Sequence, residues 1–312
     1  MKKFLYLLLC IAGFYSYSFS QNAVYDFLRT DVGARAAALN GSYITTSSDP
    51  NVLFYNPASL VTIPYPQLSV GYFKHLAGIY SGSATYARPV ETIGTVGIGV
   101  LYFNYGSFDR TDASDYVVGT FGASDIAIVA GAGRTFAENF TAGVNIEYIH
   151  SSIAEYSSSA LSAGCGITYS IPSKNLTLGA SVLHLGKQLS NYNGTNESLP
   201  TDVSIGLTLQ PEHLPADINF TFHSLNESTD NFLNRFDSFT FGVEFHMSQS
   251  LRLRAGYNNE QRKDLRLISK TEFAGFAFGG GLTIKDYVID YAYNSYGSIG
   301  GLHHVTVGIL FR

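Results

Sequence analysis

From residue 67 onward the chain alternates apolar and polar positions with a period of two, the pattern of strands that shelter one face. Val203, Ile205, Leu207 and Leu209 interleave with Asp202, Ser204, Gly206 and Thr208. Phe239, Phe241, Val243 and Phe245 interleave with Ser238, Thr240, Glu244 and His246, and Leu251, Leu253 and Tyr257 oppose Arg252, Arg254 and Asn258. Turn residues cut this stretch into about fourteen runs: 67–74, 79–87, 92–103, 122–134, 140–151, 157–171, 176–186, 202–210, 216–224, 238–246, 251–258, 273–284, 287–294 and 301–311. Each is near the ~9–11 residues that a tilted membrane strand needs.

A soluble sandwich also buries one face of each strand, so alternation alone does not identify a membrane protein. The connections do. Those at 88–91, 135–139, 172–175, 247–250 and 285–286 are tight, whereas those at 104–121, 187–201, 225–237 and 259–272 are long. Short and long thus alternate along the chain, as the short periplasmic turns and longer outer loops of an outer-membrane meander do. The expected fold is all-β: a transmembrane antiparallel up-and-down β-barrel of about 14 strands over 67–312.

The stretch 31–60 follows a different rule. Pro50 and Pro57 each follow a capping residue, Asp49 and Asn56. Proline suits the first helical position, because the N–H it lacks had no partner there. Two very short helices are expected, with a third over the small-residue run at 34–39. Residues 21–66 therefore read as a short, partly helical N-terminal hatch that plugs the barrel. Residues 1–20 read as a signal peptide, with Lys2 and Lys3, an apolar core, and a small-x-small site at Ser18-Phe19-Ser20, so cleavage is expected near Ser20/Gln21. The expected location is the cell outer membrane, among its lipids, with the N-terminus periplasmic.

Composition sharpens this picture. Charged residues make up 14% of the chain and hydrophobic ones 46%, with 22 Tyr, 22 Phe and no Trp. Soluble domains carry about 25% charged residues; a lower share and many tyrosines suit an apolar outer face with aromatic girdles. The net charge of −5 argues against a nucleic-acid partner. After cleavage only Cys165 remains, leaving no disulfide and no cysteine-based metal site.

No spacing points to catalysis or to a cofactor, and no enzyme activity is expected. His303 and His304 are neighbours on a strand, so they face opposite ways and cannot chelate one ion; no metal site is expected. Arg252 and Arg254 would each cost about 2–4 kcal/mol on the lipid side near the midplane. They are expected in the lumen, with Glu244 as a partner, and Glu147 shares a lumen face with Asn145. Arg35 is the one charge in 32–39. It reads either as a latch from hatch to barrel wall or as a solvated charge. Gly279-Gly280-Gly281 reads as a kink or a close approach to the hatch. The loop at 259–272 holds the densest charges, including Arg262, Lys263, Asp264, Arg266 and Lys270, and is a candidate docking surface.

Val32-Gly33-Ala34-Arg35-Ala36-Ala37-Ala38-Leu39, followed by Asp49-Pro50 and Asn56-Pro57-Ala58, resembles the N-terminal signature of the PorV/PorQ family. Later segments, Asn104 to Phe108, Ala123-Ser124-Asp125 and Gly256-Tyr257-Asn258, extend the resemblance over nearly the whole chain. Asn40-Gly41 stands where a glycine pair is expected. The family comprises outer-membrane barrels similar in fold to the fatty-acid transporter FadL. The resemblance implies a non-catalytic role in the type IX secretion system, holding PorZ-like, PorU-like and PorV-like proteins of the attachment complex that anchors secreted cargo. The alternative is a FadL-like channel for uptake of hydrophobic small molecules. That role needs an apolar path through the lumen, where sequence puts mainly Ser, Thr, Gly and charges.

Overall fold

Alternation, carried through enough strands, closes a sheet on itself. In the computed structural model, which describes residues 24–192, 194–227, 232–266 and 273–312, fourteen strands form a closed barrel in sequential order, with β1 pairing β14. The strands are β1 (Gln67–Lys74), β2 (Tyr80–Val90), β3 (Gly94–Thr111), β4 (Val117–Ala137), β5 (Phe140–Ile153), β6 (Tyr156–Ile171) and β7 (Leu176–Ser190). Then follow β8 (Asp202–Leu209), β9 (Ala216–Phe222), β10 (Phe239–His246), β11 (Leu251–Asn258), β12 (Phe276–Ile284), β13 (Tyr287–Ser295) and β14 (Gly301–Leu310). The seam runs antiparallel from Gln67 opposite Leu310 to Lys74 opposite His303. Closure leaves no strand edge unpaired around the ring, which a bilayer demands.

The two faces separate as the period of two requires. Ile205 is 51% exposed while its neighbour Ser204 is 1% exposed. Val70, Ile98, Ile128, Ile146, Leu253 and Val307 join Ile205 on the outer face, with Tyr72, Tyr102, Tyr148 and Tyr169 among them. Cys165 lies on this face too.

Loop length segregates by end. The connections at 191–201, 223–238 and 259–275 lie at one end, and no connection at the other end exceeds the six residues of 210–215. One expected loop is largely strand: β3 runs to Thr111 and β4 starts at Val117, so only 112–116 connects them where 104–121 was expected. Phe108 stacks on Phe121 and the ladder continues past a bulge at 104–107, so this hairpin rises beyond its neighbours. Its polar residues satisfy the ladder as well as apolar ones, which is why periodicity of hydrophobicity did not reveal it.

Residues 24–66 fill the lumen. They contain helix α1 (Ala34–Ala38) and three 3-10 turns, Asp26–Arg29, Pro50–Phe54 and Pro57–Thr62. Asp49 Oδ1 accepts from Asn51 N at 2.8 Å and Asn56 Oδ1 from Ala58 N at 3.0 Å, the caps that the two prolines implied. Glycine in the wall lets the hatch come close. A Cβ at Gly279 would lie 2.5 Å from Ala38 Cβ, and one at Gly143 would lie 2.4 Å from the Pro57 carbonyl carbon. The first described residues stand at the long-loop end, where Tyr25 Oη is 2.5 Å from Ser158 Oγ and Arg29 pairs with Glu227. The expected signal peptide lies outside the described residues. So does the N-terminus expected in the periplasm, but the segment leading from it enters at the end opposite to the short turns.

Replacing Ile205 by Arg should cost about 2–4 kcal/mol if that position lies near mid-bilayer. Denaturant unfolding in lipid vesicles, against Ile205→Ala, measures this; an unchanged midpoint would mean that the exposed face does not meet lipid. Ser204, on the inward face, is buried, donates to Asp202 Oδ2 at 2.6 Å and lies 3.1 Å from His223 Nδ1.

Candidate functional site

The hatch is held by charges. Helix α1 presents Arg35 to β10, where its Nε and Nη2 each lie 2.9 Å from the two Glu244 oxygens. Antiparallel register sets Glu244 opposite Arg254, whose Nε also bonds Glu244, while its Nη1 reaches Asp290 on β13. Arg252 Nε is 3.7 Å from Glu244. Arg35 Nη1 also donates to the Ser47 carbonyl at 2.8 Å, which ties the latch back into the hatch. Glu244 is 1% exposed, and a charge that deep is tolerated only when paired and hydrogen-bonded. The structure thus places Arg35, Glu244, Arg252 and Arg254 in one network. Asp217 and His246 bring ligand atoms within 4.8 Å of Glu244, but its oxygens are already engaged by guanidiniums.

Main-chain groups of the hatch bond to the wall as well. Ala34 N donates to Thr306 Oγ1 at 2.8 Å, Asn294 Nδ2 to the Ala37 carbonyl at 2.9 Å, and Asn145 Nδ2 to the Leu53 carbonyl at 3.1 Å. Asn56 Nδ2 donates to Ile44 O and Ile167 O, so it both caps a turn and pins it to β6. Tyr43 Oη donates to Asp49 Oδ2 at 2.5 Å. Pro50 and Pro57 are buried at the starts of their turns.

Glu147 faces the lumen and pairs with His184 Nδ1 at 2.7 Å. His184 has φ 56 and stands at a register shift between β6 and β7. Such a bulge re-aims a side chain, here turning a residue of β7 inward.

The lumen is not uniformly polar. Phe73, Leu101, Phe103 and Ile149 project inward from β1, β3 and β5 and pack as an apolar cluster towards the long-loop end. Tyr25 and Phe27 of the hatch and Leu199 of the loop after β7 pack into it, with the Phe27 and Phe103 rings 5.6 Å apart. Elsewhere the inward face is mainly Ser, Thr, amides and charges, as expected, with Ser81, Ser83, Thr85, Ser181, Thr221 and Thr240 among them, and this cluster is the exception. The run Val100-Leu101-Tyr102-Phe103 is apolar on both faces, so alternation does not say that one face turns inward. Beside this cluster lies a cavity of about 400 Å³, bordered by Asp31, Val32 and Tyr55 of the hatch and by wall residues including Glu147, His184 and His304.

Residues 259–266 are helix α2 (Asn259–Arg266) and not the expected structureless loop. Lys263 Nζ is 2.8 Å from Asp237, and the Arg262 guanidinium lies 5.9 Å from the Phe276 ring centre. Both charges are therefore engaged locally. Asp264 is exposed, whereas the Arg266 side chain and Lys270 lie outside the described residues.

With the geometry in place, comparison with solved structures is decisive for the fold. The Ralstonia pickettii toluene transporter TbuX superposes with a TM-score of 0.63 over 93% of this chain and 100% of its own, at 11% identity. The fold is FadL-like. The P. putida toluene transporter TodX gives 0.59 at 14% identity, covering 90% of this chain and 99% of its own. A Pseudomonas aeruginosa FadL homologue gives 0.56 at 11% identity, over 90% and 98%. No protein-family model matches the sequence, and no curated protein matches it.

Two outcomes are expected within this FadL-like frame. Glu244→Gln leaves Arg35 and Arg254 buried without their shared anion, a loss of about 3–5 kcal/mol. The hatch should become open to added protease while the barrel stays intact, as read by gel mobility and cleavage mapping; a protected hatch would show that the network does not hold it.

The second concerns Asp31. It faces the cavity and accepts from Tyr55 Oη at 3.2 Å. Desolvation pushes its carboxyl up from 3.8 to about 7, against the opposing pull of the Tyr55 hydrogen bond. Because the docked value lies above the free-chain value, protonation favours docking: this contribution is full below 3.8 and is lost as pH rises through about 7. Hatch protection from protease should therefore decline as pH rises from 3.8 to about 7 and level off above that, and Asp31→Asn should flatten the decline.

Proposed function

We propose that this chain is an outer-membrane channel for the diffusion of small hydrophobic molecules. The observation that carries the reading is an apolar cluster of Phe73, Leu101, Phe103 and Ile149 inside a closed barrel, with a cavity of about 400 Å³ beside it that Leu101, Leu183, Phe54 and Val32 border. Apolar surface on such a cavity offers apolar solutes a place to leave water. The likeness to barrels described as toluene transporters supports the same reading. It involves no catalytic step and no cofactor.

A second reading keeps the barrel as a scaffold of the type IX secretion system, retaining PorZ-like, PorU-like or PorV-like partners. It is supported by the hatch signature and by the charge latch, whose many bonds suit a plug that stays shut. Helix α2 would be one face on which such partners dock.

Uptake of labelled toluene into lipopolysaccharide-containing vesicles separates the two. With the chain present, uptake should run several-fold above protein-free vesicles, and Leu183→Trp, which fills the cavity beside the cluster, should abolish the gain. Equal uptake with and without the chain, together with co-purification of attachment-complex proteins, would move the function to the scaffold.

A further inference from the structure

The hairpin of β3 and β4 stands clear of the rest of the sheet. On the outward face of β3 to β6, Val100, Ile128, Tyr148 and Leu161 lie in register as an apolar row. Four positions further along, Asn104, Ser124, Ser152 and Ser157 form a polar row on the same face, so the strands beyond it have left the hydrocarbon of the bilayer. β2 pairs β3 no further than Asn104 opposite Tyr80, and β5 pairs β4 no further than Ala123 opposite Ile153. From there to the tip the two strands pair only with each other, and among the described residues no strand lies beside either outer edge.

The two edges differ. Along β3 the edge carries a bulge at 104–107 and the charges Asp109 and Arg110, devices by which natural sheets keep an edge from pairing. Along β4 it reads Val117-Val118-Gly119-Thr120-Phe121, with no charge and no proline, and Val117 and Val118 are 62% and 61% exposed. The ladder is regular from Gly122 to Gly119, and Gly122 O accepts from Ala154 N at 3.0 Å. Main-chain groups two apart on a regular strand point the same way, so the Thr120 N–H and carbonyl are turned to the open side. Three acids, Asp109, Asp112 and Asp115, surround the tip. Arg110, the one cation in 104–122, is engaged by Glu155 at 2.6 Å.

We infer that the β4 edge at 117–121 is a docking site for an extended, basic segment of another protein at the cell surface, which adds a strand to the hairpin. Thr120 supplies main-chain bonds, Val118 and Phe121 flank alternate apolar side chains of the added strand, and the acidic tip attracts its cationic end. Lipid does not fit, because the edge lies beyond the polar row. A second copy does not fit either: two barrels upright in one membrane are related by an axis along its normal, which sets N–H against N–H along this edge. The site stands apart from passage of solutes through the barrel.

The test uses the full chain in lipid nanodiscs and a labelled, end-capped peptide, Lys-Val-Thr-Val-Thr-Val-Lys, with binding read by fluorescence anisotropy. The peptide should bind saturably and slow hydrogen exchange at the Thr120 amide. N-methylation of two adjacent central residues removes donors from both edges of the peptide and keeps its side chains. It should weaken binding about tenfold, the worth of one or two hydrogen bonds. Thr120→Pro, which deletes the outward N–H, should weaken the parent peptide by a similar factor, whereas Thr120→Val keeps that N–H and should change it less than about threefold. Exchanging both lysines for glutamates should weaken binding several-fold, and more so at low salt. No saturable binding, an N-methylated peptide bound as tightly as its parent, unchanged exchange at Thr120, or glutamate bound as well as lysine would overturn the site. So would a dimer of the chain that Thr120→Pro abolishes. If Thr120→Pro fails the gel-mobility check for folding, the N-methylated peptide on the unaltered chain decides alone.

Discussion

Everything inside this barrel depends on one buried carboxylate. Glu244 stands where β10 faces the lumen, and three guanidiniums from two sources converge on it. Two, Arg252 and Arg254, belong to the wall; the third, Arg35, belongs to the hatch. Without the arginines Glu244 would be a lone anion in a poorly solvated space; with Asp217 and Asp290 nearby the wall holds three carboxylates against two arginines, and Arg35 supplies the third cation. The hatch therefore completes the charge balance of the barrel instead of merely occupying its volume. Asp290 extends that balance to β13 through Arg254.

Close backbone packing works with the charges. Ala38 meets Gly279 and Pro57 meets Gly143 at distances that no side chain on the wall would permit. Small residues in α1 and glycine in the strands let main chain approach main chain, and amides such as Asn294 and Asn145 then reach hatch carbonyls directly. A docked element held by charge and short polar contacts as well as by the packing of Leu39 on β10 and β11 is sensitive to ionisation. For Asp31 this sensitivity runs from 3.8 to about 7.

Much of this was legible in the sequence, for a physical reason. Period-two alternation and loop parity are consequences of lipid outside and a filled lumen inside, so they reveal strand number and closure. The prolines after Asp49 and Asn56 reveal turns because capping is local. Charge cost in lipid places Arg252, Arg254 and Glu244 inward, but whether Arg35 finds Glu244 is a contact across 209 positions, which no local pattern encodes. The apolar cluster was missed because Leu101 and Phe103 sit in a run apolar on both faces. The β3–β4 ladder was missed because its outer part is polar. Helix α2 has mixed charges and a single buried leucine, Leu265, so its stripe is too short to register.

The hatch precedes β1 in the chain, yet α1 bonds through Ala34 and Ala37 to β14 and β13, the last strands to be made. A ring closed by β1 against β14 gives a preceding segment no easy way in afterwards. The order of assembly follows: the hatch must already lie within the curling sheet when the seam zips. Its contacts at opposite ends of the sequence carry a large loop-closure cost, which makes closure the slow event. In that role the plug acts as a mandrel around which the sheet is wound, and damage to α1 would be felt during biogenesis before it was felt in the finished pore.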